Sequence, residues 1–385
     1  MNNANSLLRE KEIILISPQP WSDMHISKHH YAIELAKCNN IVYFINPVQD
    51  KRDFSLGITK HESISNLHIV NYSSFIPYWF KFHWRSLFNI FLNWHVRRII
   101  KKIDRKIDII WDFDCNNLYE NLDLFGAKMK IFHPVDQGAK KLPPTKIPDI
   151  IFSVSNDILE TYKDIKKPKY FINHGLGSPF LAHAQECLDS KNIDETISDY
   201  PLKIGYIGNL TVPPLNRSPI MQLIEAYPSI DFHFWGPYDI SVNTASDIVS
   251  FIEFLKSSPN VVLYGKKNPT EILPIIKNMD ALLLNYKATT AYNADNTHKI
   301  LEYFSLGKVV ISSRLKVYKD EAILRQAKND EEWISYFNEV IQDLAKFNKK
   351  EKQLERISFA VQNSYPNQIK RIEFLLLKHL SNRFS

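Results

Sequence analysis

Lys299 and Glu302 are the residues whose types and spacing best suit work on a phosphorylated ligand. They stand three apart in Thr-His-Lys-Ile-Leu-Glu-Tyr-Phe-Ser-Leu-Gly-Lys-Val-Val-Ile-Ser-Ser, residues 297–313. That spacing puts both on one face of a predicted helix, with Ile300, Leu301 and Phe304 as its apolar packing surface. An ammonium near a helix start can neutralise a diphosphate, and a carboxylate can accept two hydrogen bonds from a vicinal diol. The competing reading is a surface ion pair worth ~0.5 kcal/mol.

The elements around the pair decide between these readings. Gly307 sits where a helix C-cap is expected, and Val309, Val310 and Ile311 form an apolar run suited to a parallel strand covered on both faces. The preceding strand, Ala281 to Leu284, leads through a polar loop bearing Asn285 and Tyr286 to the helix start at Thr297 and His298. Backbone N–H groups therefore open toward a strand's carboxyl end, where open α/β sheets bind phosphates. Gly208, in Gly-Tyr-Ile-Gly-Asn-Leu (205–210), is placed for close approach of a ligand or another domain, or serves as an ordinary turn glycine. Trp235 and the Tyr264, Gly265 and Lys266 loop end two further strands and are candidates to border a base.

The chain has 385 residues, enough for two domains that each bury a core. It is 44% hydrophobic and 12% aromatic, and no apolar run is long enough to span a bilayer. Residues 1–10 lack the apolar centre of a secretory signal, which sets a cytoplasmic location as the expectation. Cys38, Cys115 and Cys187 show neither paired nor zinc-ligand spacing. A net charge of +6 suits phosphates or an anionic membrane surface and is too mild to imply nucleic-acid binding.

Strands are predicted at 12–17, 41–45, 67–71, 107–111, 129–132, 150–154 and 170–172, with a helix over 24–37. The alternation restarts at 202–207, 230–235, 261–264, 281–284 and 309–312. A polar, acidic stretch between them reads as a linker. The expected organisation is an N-terminal Rossmann-like acceptor domain, 1–184; a linker, 185–200; a C-terminal Rossmann-like donor domain, 201–362; and a C-terminal helix, 363–385, docking back on the first domain.

These features together resemble a GT-B fold glycosyltransferase: α/β, two Rossmann-like domains facing each other across a cleft, with C-terminal helices packing back. The Lys-x-x-Glu-Tyr-x-x-x-Gly-Lys-x-Val pattern is similar to that of bacterial enzymes that build surface polysaccharides and related glycoconjugates. The resemblance implies that Glu302 binds the ribose hydroxyls of a nucleotide-sugar donor and that Lys299 and the helix start face its diphosphate. The donor-side set is then Gly208, Trp235, Tyr264, Gly265, Lys266, Asn285, Tyr286, Thr297, His298, Lys299 and Glu302. The implied activity is transfer of a hexosyl group, from a uridine diphosphate sugar, to a glycan or lipid-linked acceptor.

An inverting transfer needs a base for the acceptor hydroxyl. Asp136, in His-Pro-Val-Asp-Gln-Gly after a strand, is the leading candidate, with Asp112 and Asp114 in reserve; a loop or helix-cap role is the alternative for each. His25, His29 and His174 are expected on the acceptor side. His25 and His29 are four apart but lack an accompanying Glu-His pattern, so no metal and no separate cofactor is expected. The chain departs from the largest retaining family of this fold: Ala294, beside Asp295, stands where that family has a second glutamate, and Pro-Gln-Pro-Trp (18–21) replaces a Gly-Gly pair. Inversion is therefore favoured, and the xanthan glucuronosyltransferase group is the nearer comparison.

One segment points to a partner surface. Residues 75–106 carry Trp79, Phe80, Phe82, Trp84, Phe88, Phe91 and Trp94, then Arg97, Arg98, Lys101, Lys102, Arg105 and Lys106. Aromatic and basic residues on one helix suit an anionic membrane interface; the alternative is a core helix with a solvated basic end. Two rivals to a transferase stand beside it: a nucleotide-sugar 2-epimerase of the same fold, and a non-catalytic sugar-binding or membrane-associated protein.

Overall fold

The structure is a computed structural model that describes residues 6–49, 51, 53–138, 141–190, 193, 201–287 and 296–384. The chain divides into two compact units, residues 1–173 with 365–385, and residues 174–364.

The first unit opens with β1 (Glu12–Ile16), α1 (Ser27–Lys37) and β2 (Ile41–Ile45), followed by β3 (Leu56–Lys60) and β4 (Leu67–Tyr72). Two helices, α2 (Phe80–His83) and α3 (Arg85–Ile103), lead to β5 (Ile109–Asp112), β6 (Met129–Phe132), β7 (Ile150–Ser153), α4 (Asn156–Glu160) and β8 (Lys169–Phe171). The sheet order is β3-β4-β2-β1-β5-β6-β7-β8. All pairings are parallel except β3 with β4. The strand and helix expectations hold within a few residues. β3 was not expected, because Leu-Gly-Ile-Thr-Lys has neither a buried run nor clean alternation and pairs only as an antiparallel edge.

The second unit starts with α5 (Phe180–Ser190) and continues through β9 (Leu202–Ile207), α6 (Arg217–Ala226), β10 (Ile230–Trp235), α7 (Ser246–Ser257), β11 (Val261–Gly265), α8 (Pro269–Ile276) and β12 (Ala281–Leu284). Then come α9 (Lys299–Ser305), β13 (Val309–Ser313), β14 (Gln326–Ala327), α10 (Asp330–Gln342), α11 (Leu344–Phe347) and α12 (Lys350–Gln362). Its sheet is parallel throughout, in the order β11-β10-β9-β12-β13-β14. Ala281–Leu284 and Val309–Ser313 are buried at every position, as a strand covered on both faces requires.

The stretch that reads as a linker begins inside α5. Phe180, Leu181 and Ala184 are buried in the core that also holds Leu301, Phe304 and Ile357, while Glu186 and Asp189 lie on the other side of the helix. An amphipathic helix with an acidic outer face has the composition of a linker, and only its buried face distinguishes the two.

The last helix, α13 (Tyr365–Phe384), belongs to the first unit. Tyr365, Ile369, Ile372 and Leu376 enter the core beside Tyr31, Leu35 and Phe44. Glu373 accepts from the Leu8 N–H at 3.1 Å and from the Ser6 hydroxyl at 2.5 Å, fastening the amino-terminal segment to the helix. Phe374, on the same helix, is exposed.

Candidate functional site

The strand order of the second unit reverses between β9 and β12, and the carboxyl ends of those strands bear Gly208 and the Asn285–Tyr286 pair. Such a reversal opens a crevice in which α/β sheets bind ligands. α9 begins above it, but at seven residues its dipole is small, and the Lys299 ammonium supplies the positive charge.

Lys299 Nζ donates to Tyr286 Oη at 3.0 Å and lies 5.4 Å from the centre of the Tyr206 ring. It does not pair with Glu302, which rules out the simple i,i+3 surface bridge. Gly208 makes room for it: a Cβ at Gly208 would stand 2.2 Å from Lys299 Nζ and 2.6 Å from Tyr206 Oη. The loops are packed equally closely behind, since a Cβ at Gly236 would fall 2.0 Å from the Gly208 carbonyl oxygen. The Ile207 N–H donates to Tyr303 Oη at 2.7 Å, tying the end of β9 to α9.

Glu302 is half-buried, and nothing among the described residues hydrogen-bonds its carboxyl. Burial raises its pKa to about 7 against the pull of the Lys299 charge. A carboxyl held this way has all its acceptor capacity left for a ligand. His298 precedes Lys299; burial, with the Lys299 charge acting in the same sense, lowers its pKa to about 4, so the imidazole is neutral near pH 7. Thr297 is half-buried beside it. Asn285 is buried, and its side-chain Nδ2 has no partner among the described residues. Tyr286 is held by its N–H, which donates to Ser313 Oγ at 2.8 Å.

The other expected donor residues end the neighbouring strands, where the Gly208 N–H donates to the Trp235 carbonyl at 2.7 Å and the Gly236 N–H to the Gly265 carbonyl at 2.8 Å. Trp235 is fully buried, its ring stacked on Tyr264 at 4.6 Å and 3°. Tyr264 shares a 2.9 Å hydrogen bond with His233 Nδ1. These rings pack on one another along the sheet, leaving Gly265, with φ of 70°, and the exposed Lys266 at the strand end. His174, expected on the acceptor side, belongs to the second unit with its ring 6.0 Å from that of His298.

The first unit has its own reversal, between β1 and β5. Asp112 ends β5 and Asp114 lies two residues beyond it, and both are buried. Asp112 forms a 2.7 Å ion pair with Lys146, both side chains fully inaccessible, and accepts from the Asp114 N–H at 2.8 Å. Burial lifts its pKa to about 6 despite the pull of Lys146. Asp114 accepts from the N–H groups of Asn116 and Leu118, closing a turn. Both carboxylates thus already have structural partners. Asp136, after β6, is exposed.

His29 is buried, accepting at Nδ1 from the Ile26 N–H at 3.1 Å, which leaves Nε2 to donate to the Pro20 carbonyl at 3.1 Å. Burial drops its pKa to about 4. His25 is half-buried, its ring 5.4 Å from Trp21. Among the described residues no group of three His, Cys, Asp or Glu side chains gathers as a metal site would need. Lys28 was not anticipated. It is almost wholly buried and donates to Gln19 Oε1; burial lowers its pKa while the charge of Asp136 raises it. One lysine among the chain's many gives no sequence signal of burial. Tyr206 and Lys146 were missed for the same reason: their roles arise from long-range packing.

No family model and no curated protein sequence matches the chain. Solved structures do. A trehalose-6-phosphate structure from E. coli bound with UDP-2-fluoro glucose matches with a TM-score of 0.62 at 10% identity, over 94% of this chain and 98% of that one. Anabaena HepE in complex with UDP matches with a TM-score of 0.62 at 12% identity, over 95% and 100%. The lipopolysaccharide outer core galactosyltransferase WaaB, in its apo form, matches with a TM-score of 0.57 at 14% identity, over 95% and 99%.

The fold is GT-B. Within the GT-B fold, the β9–β12 reversal and α9 of the second unit form the candidate site described above. The narrower likeness to the xanthan glucuronosyltransferase group gains no support from these matches, which place the chain no more finely than the fold. Ala294 and Asp295, which bear on stereochemistry, lie outside the described residues.

Proposed function

We propose that the chain is a glycosyltransferase that moves a sugar from a nucleoside diphosphate donor, a uridine diphosphate sugar, to a glycan or lipid-linked acceptor in polysaccharide or glycoconjugate biosynthesis. The observation that carries this reading is the joint presence, on α9 at the β9–β12 reversal, of Lys299, which lies beside Gly208 and donates to Tyr286 Oη, and of a Glu302 carboxyl that no described residue hydrogen-bonds. Donor-bound relatives of the fold support the choice of ligand, since the E. coli and Anabaena structures hold UDP-2-fluoro glucose and UDP.

Glu302 accepts from the ribose hydroxyls. Lys299 lies against the diphosphate and neutralises the charge that grows as the bond from the anomeric carbon to the phosphate oxygen breaks. Neutral His298 donates a hydrogen bond to the same group, and Asn285 Nδ2 donates to the sugar or phosphate. The acceptor oxygen bonds to the anomeric carbon from the opposite face, inverting it, and gives its proton to Asp136, whose exposure at a strand's carboxyl end leaves it accessible. Lys299 supplies the positive charge without a metal ion.

A thermal-shift screen against nucleoside diphosphates tests the donor half. A ligand at a hundred times its dissociation constant stabilises the fold by ~2.7 kcal/mol, so uridine diphosphate should raise the melting temperature and the Glu302→Ala variant should lose that rise. No response to any nucleoside diphosphate would sink the reading. Conversion of the donor to a new sugar without acceptor would replace it with the epimerase.

A further inference from the structure

α3 is two-faced. Phe88, Leu92, Val96, Ile99 and Ile103 are buried against the sheet of the first unit, together with Ile14, Tyr43 and Val70. The opposite stripe runs Leu87, Ile90, Trp94, Arg97 and Lys101, at helical spacing and all exposed. Its amino-terminal half is apolar, with Ile90 64% accessible, and its carboxyl-terminal half is cationic. α2 and the residues flanking it extend the apolar half with Trp79 at 50%, Phe82 at 70% and Trp84 at 59% accessible. Phe54 joins the patch from the preceding loop, its ring 5.3 Å from Trp94, and Arg98 fixes that loop by donating to the Phe54 carbonyl at 2.8 Å.

A folded domain rarely leaves this many large aromatic side chains together in water without a partner. Charge selects the partner. From Phe75 to Ile103 the chain holds six Lys and Arg and no Asp or Glu, and no carboxylate among the described residues pairs with Arg97 or Lys101. A second copy of this chain would set like charges against each other, because a two-fold interface pairs the same face with itself. An anionic bilayer offers both parts at once: an apolar layer for the rings, at the depth Trp favours, and a negative surface for the cations. No helix among the described residues is long and apolar enough to cross a membrane, so the contact is with the surface.

We infer that residues 75–102 form a docking surface that seats the first unit on an anionic lipid bilayer, with Trp79, Phe82 and Trp84 inserted among the headgroups and Arg97 and Lys101 on the lipid charge. The surface uses no residue of the candidate donor site and holds whether or not that site takes a nucleotide sugar.

Co-sedimentation of the full chain with vesicles tests it. Vesicles of phosphatidylcholine mixed with phosphatidylglycerol should pellet the protein, and phosphatidylcholine alone should pellet far less. The Arg97→Glu/Lys101→Glu variant should bind the anionic vesicles at least ~25-fold more weakly, from about fivefold for each cation removed. The Trp79→Ser/Phe82→Ser/Trp84→Ser variant should lose binding and keep a melting temperature close to that of the wild type, because each of these side chains is at least half exposed. Glu302→Ala should bind vesicles as the wild type does, separating this surface from the donor site. Failure of the wild type to pellet with anionic vesicles overturns the proposal, and so does undiminished binding by both surface variants. A wild-type dimer that the aromatic variant splits would assign the face to self-association and overturn it too.

Discussion

Gly208 and Lys299, 91 positions apart in sequence, share one volume: a side-chain carbon on the glycine would stand 2.2 Å from the lysine's ammonium nitrogen. The lysine can retreat but the buried Tyr206 ring, whose hydroxyl would lie 2.6 Å from that carbon, cannot, so Gly208→Ala should lower the melting temperature as well as displace the charge from the crevice. Uridine diphosphate binding by calorimetry should weaken roughly tenfold or more, about 1.4 kcal/mol. With Ala at position 299 the same glycine substitution should weaken nucleotide binding little further, since its effect on binding acts through the lysine, while the folding cost from Tyr206 remains. Equal losses in both backgrounds would refute the coupling.

The Glu302 carboxyl makes binding and folding depend on pH in opposite directions. Its pKa rises from 4.5 to about 7, so between those values the folded state holds a proton that the unfolded chain releases. Folding stability from this group is therefore largest below 4.5 and declines as pH rises through about 7. The ceiling on that decline is ~3 kcal/mol, at 1.36 kcal/mol per unit. Donor affinity should run the other way, strengthening as the carboxylate forms. Denaturant unfolding and calorimetry across this range should show both slopes in the wild type and neither in Glu302→Gln.

Glu302→Ala should weaken donor binding by about 1 to 3 kcal/mol, the scale of hydrogen bonds to a charged group. Asp136→Asn should leave that binding intact and abolish transfer. Radiolabelled sugar transfer measured beside nucleotide affinity separates the two variants, and normal transfer by Asp136→Asn would remove Asp136 from the base role.

The buried Asp112–Lys146 pair predicts a stability result in the first unit. Lys146→Met strands a fully buried carboxylate and should cost about 3 to 5 kcal/mol in denaturant unfolding. Asp112→Asn added to it should restore most of the loss, because the amide can still accept from the Asp114 N–H without carrying charge. If the double variant stays as unstable as the single one, the cost lies in packing around Lys146.

Much of this was legible in sequence. Apolar runs such as Ala281–Leu284 and Val309–Val310–Ile311 mark buried parallel strands because only a doubly covered strand can spare its polar alternation. Lys299 and Glu302 were legible because their spacing falls beside such a strand. The end of α5 reads as linker because its buried residues, Phe180, Leu181 and Ala184, all precede the acidic stretch that begins at residue 185. The stacking of Trp235 on Tyr264 is not legible, because an aromatic at a strand end looks the same whether it stacks on a base or on another ring. The structural partners of Asp112 and Asp114, and the burial of Lys28, depend on contacts between residues distant in sequence, and no local pattern encodes them.

The placement of α13 sets an order on biogenesis. Residues 174–364 form a continuous unit that can close its core as soon as they leave the ribosome, whereas the first-synthesised unit waits for Tyr365, Ile369, Ile372 and Leu376. The amino-terminal half of the chain is thus the last part to finish folding. Until α13 arrives, Tyr31 and Leu35 lie open to chaperones and proteases.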